Sequence, residues 1–440
     1  MVKAFFVGQE LPRFITHTNL ILIPKKEQVQ SFSDLKRISL NNFTNKIISR
    51  VLHERLVKLL PGLISENQSG FVKGKSIMEN VLLTQDIVRD INKRTKTANI
   101  VATIKQLVSS SLEWESTWIY QVIKGSFKQG YPLSPTLFIL AVEALSRGLN
   151  ALYKKPRFVE YGMPKWSPRI NHLSYADDTI LFVSADQYSV TLMMRVLNRY
   201  EKVSRQLVNL NKSAFYVHEK VQSGLVSRLK QTTGIRQGLF LFTYLGCLIF
   251  YSRNKISHYD TVVKKITKRV NAWQERLLSY GGRATLISHS NTGDKKGVHW
   301  VKWETLSLPK DEDGLGFRSL FEVSNTLFYK LWRNLRTKPS LWSSFMINKY
   351  YKKLHPVIAQ AKGAFPIWRK LVIVRELVEH QIWWQVKKGD SSLWYSTGGI
   401  AYSIYAIKVV NKELQTHPEA YNSCNPYNHN LEPMEKKKHH

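Results

Sequence analysis

The chain has 440 residues, 43% of them apolar and 12% aromatic, enough for two or three domains and too much to leave it wholly disordered. Lysine and arginine number 65 against 32 acidic residues, a formal charge of +33 spread along the chain, which points to a polyanionic partner and first of all to nucleic acid. Two cysteines exclude a disulfide framework or a four-cysteine zinc site, and no apolar run reaches the roughly 18 residues of a membrane span.

The opening MVKAFFVGQELPRF has neither the long apolar core nor the cleavage site of a secretion signal, so a soluble intracellular protein is expected. HTNLILIPKKE (17–27) reads as a strand stopped by Pro24. In NKIISRVLHERLVKLLPGLI, Ile47, Ile48, Val51, Leu52, Leu56 and Leu59 recur at helical spacing, and Pro61 with Gly62 ends the helix. ENVLLTQDIVRDINKRT (79–95) is a second amphipathic helix, and the β-branched TANIVATIKQLV a strand. SPTLFILAVEALSRGLNAL (134–152) is a helix with Ser134 as N-cap and Pro135 at its first position.

PRINHLSYADDTILFVSA gives two apolar segments meeting at Asp177 and Asp178, the pattern of a β-hairpin with carboxylates at its tip. Residues 187–207 form a helix with Leu192, Met193, Val196, Leu197, Tyr200 and Val203 on one face. A hairpin flanked by helices predicts α+β layering rather than a parallel doubly wound sheet. Beyond about residue 255 the chain turns basic and helical in period, which sets a domain boundary near 250, and residues 416–440 form a polar tail. His417, Cys424 and His429 match no standard zinc spacing, and tryptophans 300, 303, 332, 383, 384 and 394 read as core or interface anchors.

Two adjacent carboxylates on a hairpin either solvate a turn or hold a hard cation through oxygen. In phosphoryl transfer two such cations activate the attacking oxygen and stabilise the leaving pyrophosphate, given a further carboxylate to bridge them. The flanking sequence favours the second reading. YADD between apolar strands resembles the palm motif of reverse transcriptases, and FKQGYPLSPTLFIL (127–140) the motif that precedes it. ISENQSGFVKGKSIMENVLL, LILIPKKE and FSDLKRISLNN resemble the finger region of plant LINE-type non-LTR retrotransposon polymerases; LVNLNKSAF and TYLGC resemble the palm's lysine motif and the primer-grip turn. The likeness covers most of residues 1–400.

The resemblance implies a right-hand polymerase: a fingers-like region at 1–95, a palm-like region at 96–250, and a basic, mainly helical thumb and downstream region at 251–415. It implies RNA-templated DNA synthesis on an RNA template, a DNA primer and dNTPs, with two Mg2+ or Mn2+ ions, no membrane, and a nuclear site of action. Asp177 and Asp178 would be metal-binding and catalytic carboxylates, Lys212 a charge or proton donor near the triphosphate, and Tyr175 a neighbour of the primer end. Gln129, Gly130 and Pro132 would form the turn beneath the incoming nucleotide, with Gly130 allowing close backbone approach. Lys36 and Arg37 would meet the phosphates.

The chain departs from that family at one costly place. The resemblance calls for another aspartate at the end of an earlier strand, near Lys105 or Gln106, and the carboxylates of that interval are Glu113 and Glu115. The interval is also short, and Tyr131 stands where the family has an aspartate. Three readings follow: a polymerase by ancestry with impaired transfer, a non-catalytic nucleic-acid-binding remnant, or a chain too shortened to fold.

Overall fold

The computed structural model describes residues 2–9, 12, 18–30, 34–92, 97–107, 131–164, 167–204, 206–252, 255–274, 320–351 and 366–379, with four short strands between 382 and 411. A short helix α1 (Val2–Phe6) precedes an antiparallel ribbon of β1 (Thr18–Pro24) and β2 (Leu35–Asn41), whose register sets Leu22 opposite Arg37 and Ile23 opposite Lys36. Pro24 closes β1 as its missing N–H requires. Helix α2 (Phe43–Val57) starts at Asn42, whose side chain accepts a hydrogen bond from the Thr44 N–H. Pro61 does more than end that helix: it lies in the first turn of a four-residue helix α3 (Leu60–Leu63), where a missing N–H costs nothing. Helix α4 (Ile77–Arg89) starts at Ser76 and stops at Asp90, short of the expected residue 95.

The long strand β3 (Asn99–Leu107) is followed by helix α5 (Ser134–Asn150). Leu133, not Ser134, is the residue before that helix, because Leu133 already has near-helical angles and Ser134 is drawn inside. Then come β4 (His172–Tyr175), β5 (Asp178–Ser184), α6 (Gln187–Ser204), β6 (Leu207–Val208) and β7 (Ala214–Val217). Helix α7 (Ser223–Thr233), β8 (Arg236–Gln237), the hairpin β9 (Phe242–Tyr244)–β10 (Cys247–Ile249) and α8 (Asp260–Gln274) complete this part. On α6, Leu192, Met193, Leu197 and Tyr200 are buried as expected, but Val203, in the last turn, is 69% exposed.

The central sheet runs β4-β5-β3-β7-β8, with β6 paired to the end of β3; the β7–β8 pair is parallel and the others antiparallel. Strand side chains alternate between faces. Ile100, Ala102 and Ile104 therefore share the face that also carries Leu181, Val183 and Phe215, packed with Leu145, Leu149, Leu197 and Leu229 of the helices. Helices α5, α6 and α7 packed on one face of a mostly antiparallel sheet make this an α+β fold. The alternation sends Lys105, with Val101 and Thr103, to the opposite face.

The chain divides into two compact units, Met1–Ser279 with Ser340–Phe345, and Tyr280–Pro339 with Met346–His440. In the second, helices Leu320–Thr337 and Pro366–Glu379 bury Trp332 and Trp368, and Tyr350 stacks on Trp368 at 4.8 Å. Strands Ile382–Gln385 and Lys408–Asn411 pair antiparallel, as do Tyr395–Ser396 and Gly399–Ile400. Trp383 and Trp384 lie on the first of these strands, while tryptophans 300, 303 and 394 and the 416–440 tail lie outside the described residues. Among the described residues no helix is long and apolar enough to cross a membrane.

The β9–β10 register pairs Tyr244 with Cys247 and leaves a two-residue loop, Leu245 and Gly246, with φ of 49° and 82°. Positive φ at both positions marks a type I′ turn, which matches strand twist but strains a leucine. A Cβ added at Gly246 meets nothing within 4 Å, so Gly246→Ala isolates the backbone cost. Gly246→Ala should lower stability by about 1 kcal/mol, and Leu245→Asn should raise it. Urea midpoints at constant slope read both; a stabilised Gly246→Ala protein would contradict the turn assignment.

Candidate active site

The register of β4 with β5 pairs Tyr175 with Asp178, so the hairpin turns through Ala176 and Asp177 alone. The two carboxylates are therefore not equivalent. Asp177 is exposed in the turn, whereas Asp178 opens strand β5 and is partly enclosed. Ala176 has φ of 53°, a left-handed conformation that costs an alanine energy unless its neighbours impose it.

The neighbours come from the segment before α4. Gln68 Oε1 accepts hydrogen bonds from the backbone N–H of Ala176 at 3.2 Å and of Gly70 at 2.8 Å. Ser174 is held from three sides. Its N–H donates to Asn67 O at 2.8 Å, and its carbonyl accepts from the Ser69 N–H at 2.9 Å and from Asn80 Nδ2 at 3.1 Å. Gly70 lies so close that a Cβ there would stand 2.4 Å from the Ala176 nitrogen. This clamping segment is itself anchored. Lys75 Nζ donates to the carbonyls of Ser65 at 2.6 Å and Gln68 at 2.9 Å, and Glu143 Oε2 on α5 accepts from the Ser65 N–H at 2.9 Å. Burial pushes the Lys75 ammonium below its ordinary range, against the pull of Glu66 and Glu143. At the base of the hairpin, burial holds His172 down at about 3, so it stays neutral beneath the tip.

The other side of the tip is β3. Its register sets Lys105 directly opposite Asp178, and Lys105 Nζ lies 2.5 Å from Asp178 Oδ1, with the two side chains 44% and 17% exposed. The contact lacks hydrogen-bond angles at Oδ1, so charge rather than orientation holds it. The backbone of Lys105 also fixes the next turn: its carbonyl accepts from the Asn209 N–H at 2.8 Å and its N–H donates to Ser213 Oγ at 3.2 Å. Lys212, exposed in that turn, donates its N–H to Asn209 Oδ1 at 3.1 Å. From the third side, the Tyr244 hydroxyl donates to Asn80 Oδ1 at 3.1 Å. Burial, and then the negative charge of Asp178, pushes that hydroxyl well above its usual range.

The sheet thus brings Tyr175, Asp177, Asp178 and the Lys212 turn to one end. Pro132 lies just ahead of α5, whose Phe138, Ile139 and Val142 form the apolar cluster on which Ala176 packs. Gln129, Gly130, Glu113 and Glu115 lie outside the described residues. Lys36 is exposed on the β1–β2 ribbon, a sheet separate from the central one, and the Arg37 backbone pairs with Leu22 there. Tyr131, read as a replacement for an acid, is buried and accepts a hydrogen bond from Asn45 Nδ2 at 2.7 Å. The sequence reading missed Asn67, Gln68 and Asn80, whose signal is a run of polar residues at positions the structure buries.

These donors do not fit a pair of divalent cations. Two such ions carry four positive charges, Asp177 and Asp178 return two, and Lys105 adds another positive charge at the same oxygen. Among the described residues no group of three or more His, Cys, Asp or Glu side chains is placed to hold a metal.

The model of the family described as reverse transcriptase (RNA-dependent DNA polymerase) matches residues 23–249, just over half of the chain. The chain is 22% identical over 420 residues to a transposon TX1 uncharacterized 149 kDa protein of Xenopus laevis, covering 80% of this chain and 31% of that protein. It is 28% identical over 168 residues to a putative ribonuclease H protein of Arabidopsis thaliana, covering 29% and 26%. An uncharacterized mitochondrial protein of the same plant is 48% identical over 52 residues, covering 12% and 43%. The chain thus spans between 26% and 43% of the length of the curated relatives it matches.

Gly70 and Gly224 separate a packing role from a propensity effect. Gly70→Ala should cost about 1–3 kcal/mol by forcing the clamping segment off the tip. Gly224→Ala, in a helix with open space around it, should be neutral or stabilising by under about 1 kcal/mol. Chemical denaturation of the pair measures both; equal effects would show that the contact at Ala176 carries no weight.

Proposed function

This chain belongs to the reverse transcriptase (RNA-dependent DNA polymerase) family, and from that premise we propose that it grips an RNA template paired with a DNA primer while its own nucleotidyl transfer is impaired. The observation that carries this reading is the Lys105 ammonium seated on Asp178. The family's reaction joins a primer 3′ hydroxyl to the α-phosphate of a dNTP and expels pyrophosphate, with divalent cations supplying the electrostatic stabilisation. Losing a single such stabiliser typically costs about a hundred- to a thousandfold in rate. Here one of two carboxylates is already neutralised, and a cation stands where the resemblance calls for an aspartate.

The grip does not need metal. The charge of +33 supplies phosphate contacts by counterion release. We assign residues 1–95 to fingers, 96–250 to a palm and 251–415 to a basic thumb and downstream region, with the 416–440 tail outside them. On that assignment Lys36 and Arg37 meet phosphates from the β1–β2 ribbon. Tyr175 flanks the primer end, Lys212 sits beside the triphosphate, and Gln129, Gly130 and Pro132 line the nucleotide's turn. A nuclear site of action goes with this role. The non-catalytic remnant is the same binding surface with transfer lost outright. A chain too shortened to fold is disfavoured because β3, which borders the short interval, is hydrogen bonded along both edges.

Fluorescence anisotropy with a labelled RNA–DNA hybrid, beside primer extension in Mg2+ or Mn2+, tests this directly. Binding should weaken about a hundredfold or more between 50 and 200 mM salt, and extension should be absent or unchanged by Asp177→Ala. Robust extension abolished by Asp177→Ala would overturn the reading.

A further inference from the structure

We infer that Lys105 is a tethered counter-ion that takes the place of a divalent cation at the acidic tip, so that the tip of the native chain binds no such ion. The inference rests on reading the tip as a polymerase-type acidic site, and it goes further by saying what occupies that site. Three observations carry it. Asp178 Oδ1 is shut away from solvent, so its charge needs a partner, and the partner present is the ammonium at 2.5 Å. The antiparallel register fixes where the lysine stem begins: Lys105 is opposed to Asp178 on one edge of β3, while its backbone is bonded to Asn209 and Ser213 on the other. Finally, Gln68 and Asn80 hold the hairpin through backbone atoms, so its shape does not depend on a bound ion.

A counter-ion attached to the sheet competes as an intramolecular ligand, at an effective concentration set by its tether rather than by the solution. A divalent ion arriving at Asp178 must displace the ammonium or sit against it, and magnesium also sheds water reluctantly. With the ammonium removed, the same enclosed carboxylate and its neighbour Asp177 are left uncompensated, and a hard cation from solution becomes their natural partner. Lys105 is thus a positioning residue rather than a catalytic one. Lys105→Met removes the charge and keeps the stem.

Thermal unfolding with and without millimolar MnCl2 tests this on the full chain. The native protein should show no shift, Lys105→Met should gain about 2–4 °C with manganese, and Lys105→Met with Asp178→Asn should lose that gain. A folded Lys105→Met protein indifferent to manganese overturns the inference. Should that variant fail to fold, electron paramagnetic resonance of free Mn2+ titrated into the native chain and into Asp178→Asn decides. Equal, negligible uptake supports the tethered ion, and an ion bound by the native chain and lost in Asp178→Asn sinks it. Hybrid binding by the same preparations reports separately on the proposed nucleic-acid role.

Discussion

An ammonium and a carboxylate are pinned face to face at one end of the central sheet, and the candidate site depends on that pair. β3 cannot slide to relieve it. A one-residue slip would turn Ile100, Ala102 and Ile104 away from the helices and expose the core they build. The hydrophobic face therefore sets the register, and the register delivers Lys105 to Asp178. Packing on one face of the sheet dictates electrostatics on the other.

The polar clamp serves the same geometry from outside the sheet. Asn67, Gln68 and Asn80 are buried: Asn67 Nδ2 and Asn80 Nδ2 donate to the hairpin's carbonyls and Gln68 Oε1 accepts from its backbone, while Gln68 Nε2 is left without a partner among the described residues. Each such bond contributes little alone, but leaving one partner unpaired in the interior costs about 1–3 kcal/mol. The strained turn at Ala176 persists because these donors and acceptors leave it no alternative. Tyr244, from the β9–β10 hairpin, closes the network through Asn80.

Much of this was legible in the residues. Two apolar segments meeting at YADD announce the β4–β5 hairpin, and the β-branched run announces β3. Helical spacing gave the buried face of α6 except at Val203, which the last turn leaves in solvent. What the sequence did not show is that Asp178 belongs to the strand and only Asp177 to the turn, because hairpin register depends on pairing rather than composition. The clamp was equally hidden: polar residues around position 68 look like a surface loop until the fold brings them against Ser174. Ser134 lies one residue inside the helix it is expected to cap, and Pro61 opens a short helix rather than only closing the one before it, since helix starts are set by local dihedrals.

A double-mutant cycle on stability, comparing Lys105→Met, Asp178→Asn and the combination, measures the central pairing itself. For a partly exposed ion pair held in fixed register, the coupling should be near 1 kcal/mol. Strictly additive single effects would contradict the account, for they would mean that the two side chains share an end of the sheet without acting on each other.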